Sequence, residues 1–457
     1  MSTLVTPPVG APAAGAPGAP PSVAERVGRY RWTICALLFV ATTINYIDRQ
    51  TTGILAPTLQ AEFGWSETQY ADITSYWTAA YAVGFLFVGR FIDKVGVRLG
   101  FAVAVVLWSV AAAAHGLAYS VFGFAVARFA LGLGESGNFP AAIKATAEWF
   151  PRHERAFATG IFNAGSNVGA IVTAILVPWI TLTWGWREAF VVTGLIGFVW
   201  LVFWWPMYRA PGEHPRLRPA ERAYIEAGRE DEGASAGGRV GWLTLLRHRQ
   251  TWTFIVGKAM TDGVWWFYLF WLPKFLDARY GIKLGKLALP LIVIYVVADV
   301  GSVYGGWLSG ALIKRGWAVA RARKTTLLIA AVLIVPTALA PAAHSLWVAV
   351  ALVSVAAAAH QWWSANLFTL SSDMFPRRAV GSVVGLGGFA GAAGGVVFQR
   401  ATGALLQHNG SDYRPVFAVC GVAYVAALGI IHLLVPRMTP VDLGGRAPAL
   451  AAPPASP

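Results

Sequence analysis

Apolar residues run along this chain in long uninterrupted blocks. Windows of roughly membrane-crossing length lie at about 33–55, 68–90, 98–119, 122–146, 157–180, 187–208, 250–273, 286–311, 325–342, 345–370, 379–402 and 414–435. A helix needs about 20 residues to cross the roughly 30 Å apolar core of a bilayer. No block shows the period-2 alternation of a membrane barrel. The pattern predicts an all-α polytopic membrane protein with twelve transmembrane helices. The longest polar interruption, 209–248, divides them into two six-helix bundles at 31–208 and 249–436. Two bundles around a shared cavity suit alternating access. The Pro/Ala-rich ends, 1–30 and 437–457, have too little apolar bulk to pack and are expected to be disordered.

Composition agrees with this pattern. Of 457 residues 56% are hydrophobic and only 13% charged, against roughly 25% charged in a soluble domain. The net charge is +14, but the basic residues are too sparse for a nucleic-acid surface. They lie mostly on one side of the predicted spans: the side holding both termini carries most of the 36 lysines and arginines, so both termini are expected to be cytoplasmic. Cys35 and Cys420 both sit in apolar runs, which implies neither a disulfide framework nor a metal cluster. The GLGGFAG stretch follows no strand, and no GxxxxGK[ST] occurs, so no nucleotide, cofactor or ATP-driven step is expected. No nucleophile–base constellation appears, and an enzyme is not expected.

Charges inside apolar spans are expensive and mark pathways. The first span contains Asn45, Tyr46, Asp48, Arg49 and Gln50. Neighbours on a helix point about 100° apart, so Arg49 is placed toward a central cavity and Asp48 toward another helix. In the fourth span Arg128 and Glu135 are seven residues apart on one stripe, too far for a direct pair but able to bracket a small polar cavity. Arg128 offers a fork that matches a carboxylate, and Glu135 reads as a proton carrier. Gly132 and Gly134 allow close helix approach or ligand access. Lys258 and Asp262, at i and i+4, either neutralise one another or meet a ligand. His360, Gln361, Trp363 and Asn366 in the tenth span suit a hydroxylated ligand or a packing network. The same two readings hold for Asn163, Ser166 and Asn167 in the fifth.

The loop GRFIDKVGVRLG contains Gly89, Asp93, Lys94, Gly96 and Arg98, a tight turn with alternating charges at a helix end. It resembles the signature of the major facilitator superfamily, where it forms a cytoplasmic gating latch. A degenerate counterpart, GGWLSGALIKRG, has Ser309 where the acid would stand, which implies a weaker second latch. The string ATTINYIDRQ narrows the likeness to the anion:cation symporter family, and within it to bacterial hexuronate and sugar-acid transporters. That resemblance implies that Arg49 and Arg128 recognise a substrate carboxylate, that Tyr46 and Tyr81 line the site, and that Asp48 and Glu135 couple protons. The expected function is proton-coupled import of a hexuronate such as glucuronate or galacturonate, by a chain that works as a monomer. The alternatives are transport of galactonate, glucarate or an aromatic acid, or drug/proton antiport.

Overall fold

The computed structural model describes residues 28–227 and 241–443. Most of both expected disordered tails, with the termini expected to be cytoplasmic, and residues 228–240 of the central connection lie outside the described residues.

The described residues form helices joined by short turns. The first part contains α1 (Tyr30–Phe63), α2 (Glu67–Val95), α3 (Val97–Ala114), α4 (Val121–Glu135), α5 (Asn138–Trp149), α6 (Arg152–Thr183) and α7 (Trp186–Met207). Two short helices follow, α8 (Pro219–Ala227) and α9 (Trp242–Leu246). The second part contains α10 (Arg249–Tyr280), α11 (Ala288–Lys314), α12 (Val319–Ile334), α13 (Leu346–Met374), α14 (Arg377–His408) and α15 (Arg414–Leu434). The helices α1–α7 pack mainly among themselves, as do α10–α15. The two sets meet where α2 runs along α14, α1 along α10 and α6 along α11.

Among the described residues, eight helices are long and apolar enough to cross a membrane: Val97–Leu117, Ala158–Thr183, Trp186–Met207, Ala288–Lys314, Val319–Ala342, Leu346–Ser371, Ser382–His408 and Arg414–Leu434. This corrects the expected twelve in two six-helix bundles. α4 is only 15 residues long. α1, α2 and α10 have the length but are interrupted by charge: Asp48 and Arg49 in α1, Asp72 and Arg90 in α2, Lys258, Asp262 and Lys274 in α10. A charged side chain in hydrocarbon costs several kcal/mol, whereas one enclosed by other helices can be paired. These are the helices that carry the polar interior.

Local chemistry sets the breaks. The window 122–146 divides at Ser136–Gly137, since Pro140 cannot donate to the Ser136 carbonyl and its ring crowds that position. Glu135 thus becomes the last residue of α4. α2 begins on a capping box, with Ser66 Oγ accepting from Gln69 N at 3.1 Å and Gln69 Oε1 from Ser66 N at 2.9 Å. The central connection contains the short helix α8. Its Glu221 accepts the backbone N–H groups of Tyr30 and Arg31, both at 3.1 Å, at the start of α1. There a carboxylate also meets the positive end of the helix dipole.

Candidate functional site

Arg49 stands at the centre of the buried polar cluster. Its Nε donates to Glu135 Oε2 at 2.9 Å, and its Nη2 donates to Asn45 Oδ1, one turn back, at 2.8 Å. Both partners of the ion pair are buried. Aromatic rings surround the guanidinium: the centroids of Tyr46, Trp77, Tyr81 and Trp266 lie 4.3, 4.8, 5.0 and 5.8 Å away. Trp77 Nε1 also donates to Glu135 Oε2, at 3.1 Å, and the Trp77 ring stacks on Tyr81 at 5.0 Å. A cation held against ring faces in a dry interior gains up to about 2 kcal/mol per good contact. Close approach of α2 and α4 makes this geometry possible, since a Cβ on Gly132 would lie 2.3 Å from the Trp77 carbonyl oxygen.

Arg128 is buried on the same face of α4 as Glu135. Its Nη2 donates to the Arg49 carbonyl at 3.1 Å, while its Nε and Nη1 have no partner among the described residues. The Phe270 ring lies 5.5 Å from its guanidinium carbon. Asn45 Nδ2, Gln50 Nε2, Trp266 Nε1, Gln399 Nε2 and Glu135 Oε1 are likewise buried and unpartnered. Unsatisfied buried polar groups are rare in native proteins, and those of Asn45, Glu135 and Trp266, whose side chains touch the Arg49 guanidinium, mark a place able to receive polar atoms. The larger open grooves lie elsewhere. Those of about 710 and 630 Å³ are apolar, lined by residues such as Ala259, Val397 and Val422, or Leu99, Val103 and Trp205.

Six of the residues singled out from sequence therefore come together: Asn45, Tyr46, Arg49, Tyr81, Arg128 and Glu135. Asp48 does not join them. It is buried on the α7 side of α1, beside Thr193, and neither of its oxygens accepts a well-formed hydrogen bond. Lys258 pairs with Asp262 at 2.8 Å and lies over the Phe368 ring at 4.8 Å. His360 Nδ1 is 2.5 Å from the Tyr424 hydroxyl, which donates onward to the Thr261 carbonyl, and the imidazole stacks on Trp265 at 4.9 Å. Trp363 packs edge-on against the same Tyr424. Asn366 ties helices together, donating to the carbonyls of Gly305 and Trp362 at 3.1 and 3.0 Å. Gln361 is half-buried and Asn163 exposed. Among the described residues, no hydrogen bond, ion pair or ring contact joins any of these to the Arg49 cluster.

Several participants escaped the sequence reading. Trp77 was legible as an aromatic one turn before Tyr81. Trp266 lies in the aromatic run WWFYLFW, where nothing local distinguishes it from its neighbours. Asp299, an acid in the middle of α11, receives a hydrogen bond from Asn167 Nδ2 of α6. Its signal was present, an unexplained carboxylate in an apolar window.

At one pole, Asp93 pairs with Lys144 of α5 at 2.8 Å. Gly96 turns the chain at φ 84°, a conformation that favours glycine, and its N–H donates to the Ile92 carbonyl. Arg98 caps α7 through the Trp205 carbonyl at 3.1 Å, Lys94 is exposed, and Gly89 borders open space. In the counterpart turn Ser309 Oγ accepts from Arg323, which also pairs with Asp373 at 2.9 Å. At the opposite pole, α2 is joined to the second set of helices by the Glu67–Lys274 ion pair, by Asp72–Arg400 at 3.3 Å, and by Tyr70 donating to the Phe270 carbonyl at 2.5 Å.

Comparison with known proteins adds to this geometry. A family model described as Major Facilitator Superfamily matches residues 38–399. The hexuronate transporter of Escherichia coli (strain K12) is 34% identical over 401 residues, covering 87% of this chain and 92% of that protein. The galacturonate transporter of Dickeya chrysanthemi is 33% identical over 279 residues, covering 61% of this chain and 81% of that protein. Among solved structures, the inward-open xylose transporter of E. coli superposes with a TM-score of 0.70 at 14% identity, over 89% of this chain and 97% of that one.

Proposed function

The chain belongs to the Major Facilitator Superfamily and is a multi-pass membrane transporter; from that premise we propose that it imports a hexuronate, such as glucuronate or galacturonate, together with protons. The observation that carries this reading is the buried Arg49–Glu135 pair in its aromatic cage, beside an Arg128 with two unpartnered N–H groups. A fork of N–H donors matches a carboxylate, and the surrounding amide and indole donors match sugar hydroxyls. The likeness to the two sugar-acid transporters supports the substrate class.

The pair itself supplies a coupling mechanism. While Glu135 is ionised it occupies Arg49 and neutralises it. A proton arriving on Glu135 removes that charge and frees Arg49, so the substrate carboxylate can dock between Arg49 and Arg128. When the proton leaves, Glu135 reclaims Arg49 and displaces the anion. Proton and substrate thus enter and leave as a pair, and one proton per monoanion moves no net charge. Asp48, behind Arg49, is a second carboxyl through which a proton can pass. We assign the Glu67–Lys274 and Asp72–Arg400 pole to the outside, which makes this arrangement closed outward. In the other half of the cycle these ties part, while the Asp93 turn closes the inner pole.

Uptake of labelled glucuronate or galacturonate into proteoliposomes under an inward proton gradient tests the proposal. Gradient-dependent uptake blocked by hexuronates and not by neutral hexoses is expected. Folded protein that takes up no sugar acid refutes the reading.

A further inference from the structure

We propose that Asp299 makes the site selective for sugar acids with one carboxylate over those with two; this rests on the sugar-acid reading above. The inference starts from a balance of charges. Arg49 is matched by Glu135, and Lys258 by Asp262. Arg128 has no carboxylate partner among the described residues, and once a proton on Glu135 frees Arg49 one substrate carboxylate docks between the two arginines, while buried Asp48 lies apart on the α7 side of α1. Asp299 is the opposite of Arg128: a carboxylate whose one contact among the described residues is the neutral amide of Asn167.

Position makes that charge matter. Tyr295 donates to Gln50 Oε1 at 3.3 Å, and Gln50 adjoins Arg49. Asp299 lies one turn further along the same face of α11, about 6 Å along the axis. It is only half-buried although it sits near the middle of the helix, where α11 meets α6. Further along that face Gly306 and Gly310 meet no atom that a Cβ would touch, so the wall continues into open space. A six-carbon acid held by its carboxylate at Arg128 therefore directs its far end along this wall. A hydroxyl there donates to the Asp299 carboxylate, an acceptor without a cation of its own. A second substrate carboxylate meets like charge instead. Two such charges a few ångströms apart in partly desolvated surroundings weaken binding by about tenfold to a hundredfold.

Galactonate and galactarate isolate this effect, since they share a carbon skeleton and differ in whether C6 is a hydroxymethyl group or a carboxylate. The full chain in proteoliposomes is tested for competition by each against uptake of a labelled monoanionic sugar acid. The wild type is expected to be inhibited far better by galactonate. Asp299→Asn retains size and a hydrogen-bonding partner for Asn167, and it is expected to raise the relative affinity for galactarate by about tenfold or more. Asp299→Ser gives the same direction through a different packing change. The ratio of the two inhibitors does not depend on the fraction of folded protein, so a merely structural role leaves it unmoved. An unchanged ratio in both folded variants, or equal inhibition of the wild type by both acids, overturns the inference alone. A wild type that takes up no sugar acid overturns the functional reading, and this inference with it.

Discussion

Replacing Glu135 by glutamine separates binding from coupling. The Arg49 Nε–Glu135 Oε2 contact of 2.9 Å places the two charge centres about 4 Å apart, an attraction of about 4 kcal/mol at an effective dielectric constant near 20. The amide keeps an oxygen for the hydrogen bonds from Arg49 and Trp77 but removes the charge. Arg49 is then a buried cation without a counter-ion, a condition that costs about 3–5 kcal/mol when one partner of a buried pair is lost. A substrate carboxylate restores the balance, so part of that energy returns as binding. If half of it is recovered, affinity rises by roughly tenfold to a hundredfold over the wild type at alkaline pH. In the wild type, a proton must reach Glu135 before the anion can take Arg49. Binding therefore tightens as pH falls and weakens as it rises. In the variant that dependence disappears, because residue 135 no longer carries a carboxylate that competes with the substrate for Arg49. Binding is measured by calorimetry or intrinsic tryptophan fluorescence at acid and alkaline pH, alongside proton-driven accumulation in proteoliposomes. The expected result is tighter, pH-independent binding with no accumulation. A Gln variant that accumulates substrate against a gradient, or whose affinity follows pH as the wild type's does, refutes the reasoning.

Other substitutions probe separate parts of the interior. Arg128→Lys keeps the charge but not the fork, and uptake is expected to fall by more than tenfold while the purified protein stays monodisperse; near-normal uptake would show that no bidentate carboxylate contact is made. Lys258→Met leaves Asp262 buried without its cation and should lower thermal stability markedly, whereas Lys258→Met with Asp262→Asn should recover most of the loss. An additive double variant in thermal unfolding would deny the pair. Gly132→Ala forces a Cβ against the Trp77 carbonyl oxygen, 2.3 Å away, and should destabilise the α2–α4 contact by about 1–3 kcal/mol. An unchanged melting temperature in detergent would show that the two helices have room to separate.

The sequence alone determined where charge enters the apolar part of the chain. Arg49, Arg128, Glu135 and Lys258 are conspicuous because each is costly in hydrocarbon, and cost is a property of composition that a linear reading can detect. The Asp93–Gly96 turn was legible for a similarly local reason, since a glycine at positive φ between two helices depends only on neighbours in the chain. The Lys258–Asp262 pair could be foreseen because both residues share one helix at a spacing that brings side chains together.

Contacts between helices were decided by the tertiary structure. Arg128 and Glu135 share a stripe of α4, yet Glu135 pairs with Arg49 of α1, because that choice depends on which helix lies alongside and how it is rotated. That adjacent Asp48 and Arg49 part by about 100° was legible in the sequence, but that α7 receives one and the aromatic cage the other was decided by packing. Trp77 and Trp266 gained their roles only when α2 and α10 were brought against α1. The expectation of twelve crossing helices failed on the same point. A hydropathy window records how apolar a segment is, but whether its charges meet lipid or another helix is settled by neighbours distant in the chain. α1, α2 and α10 can carry their polar residues because other helices enclose them, and Asp299 acquires meaning only where α11 meets α6.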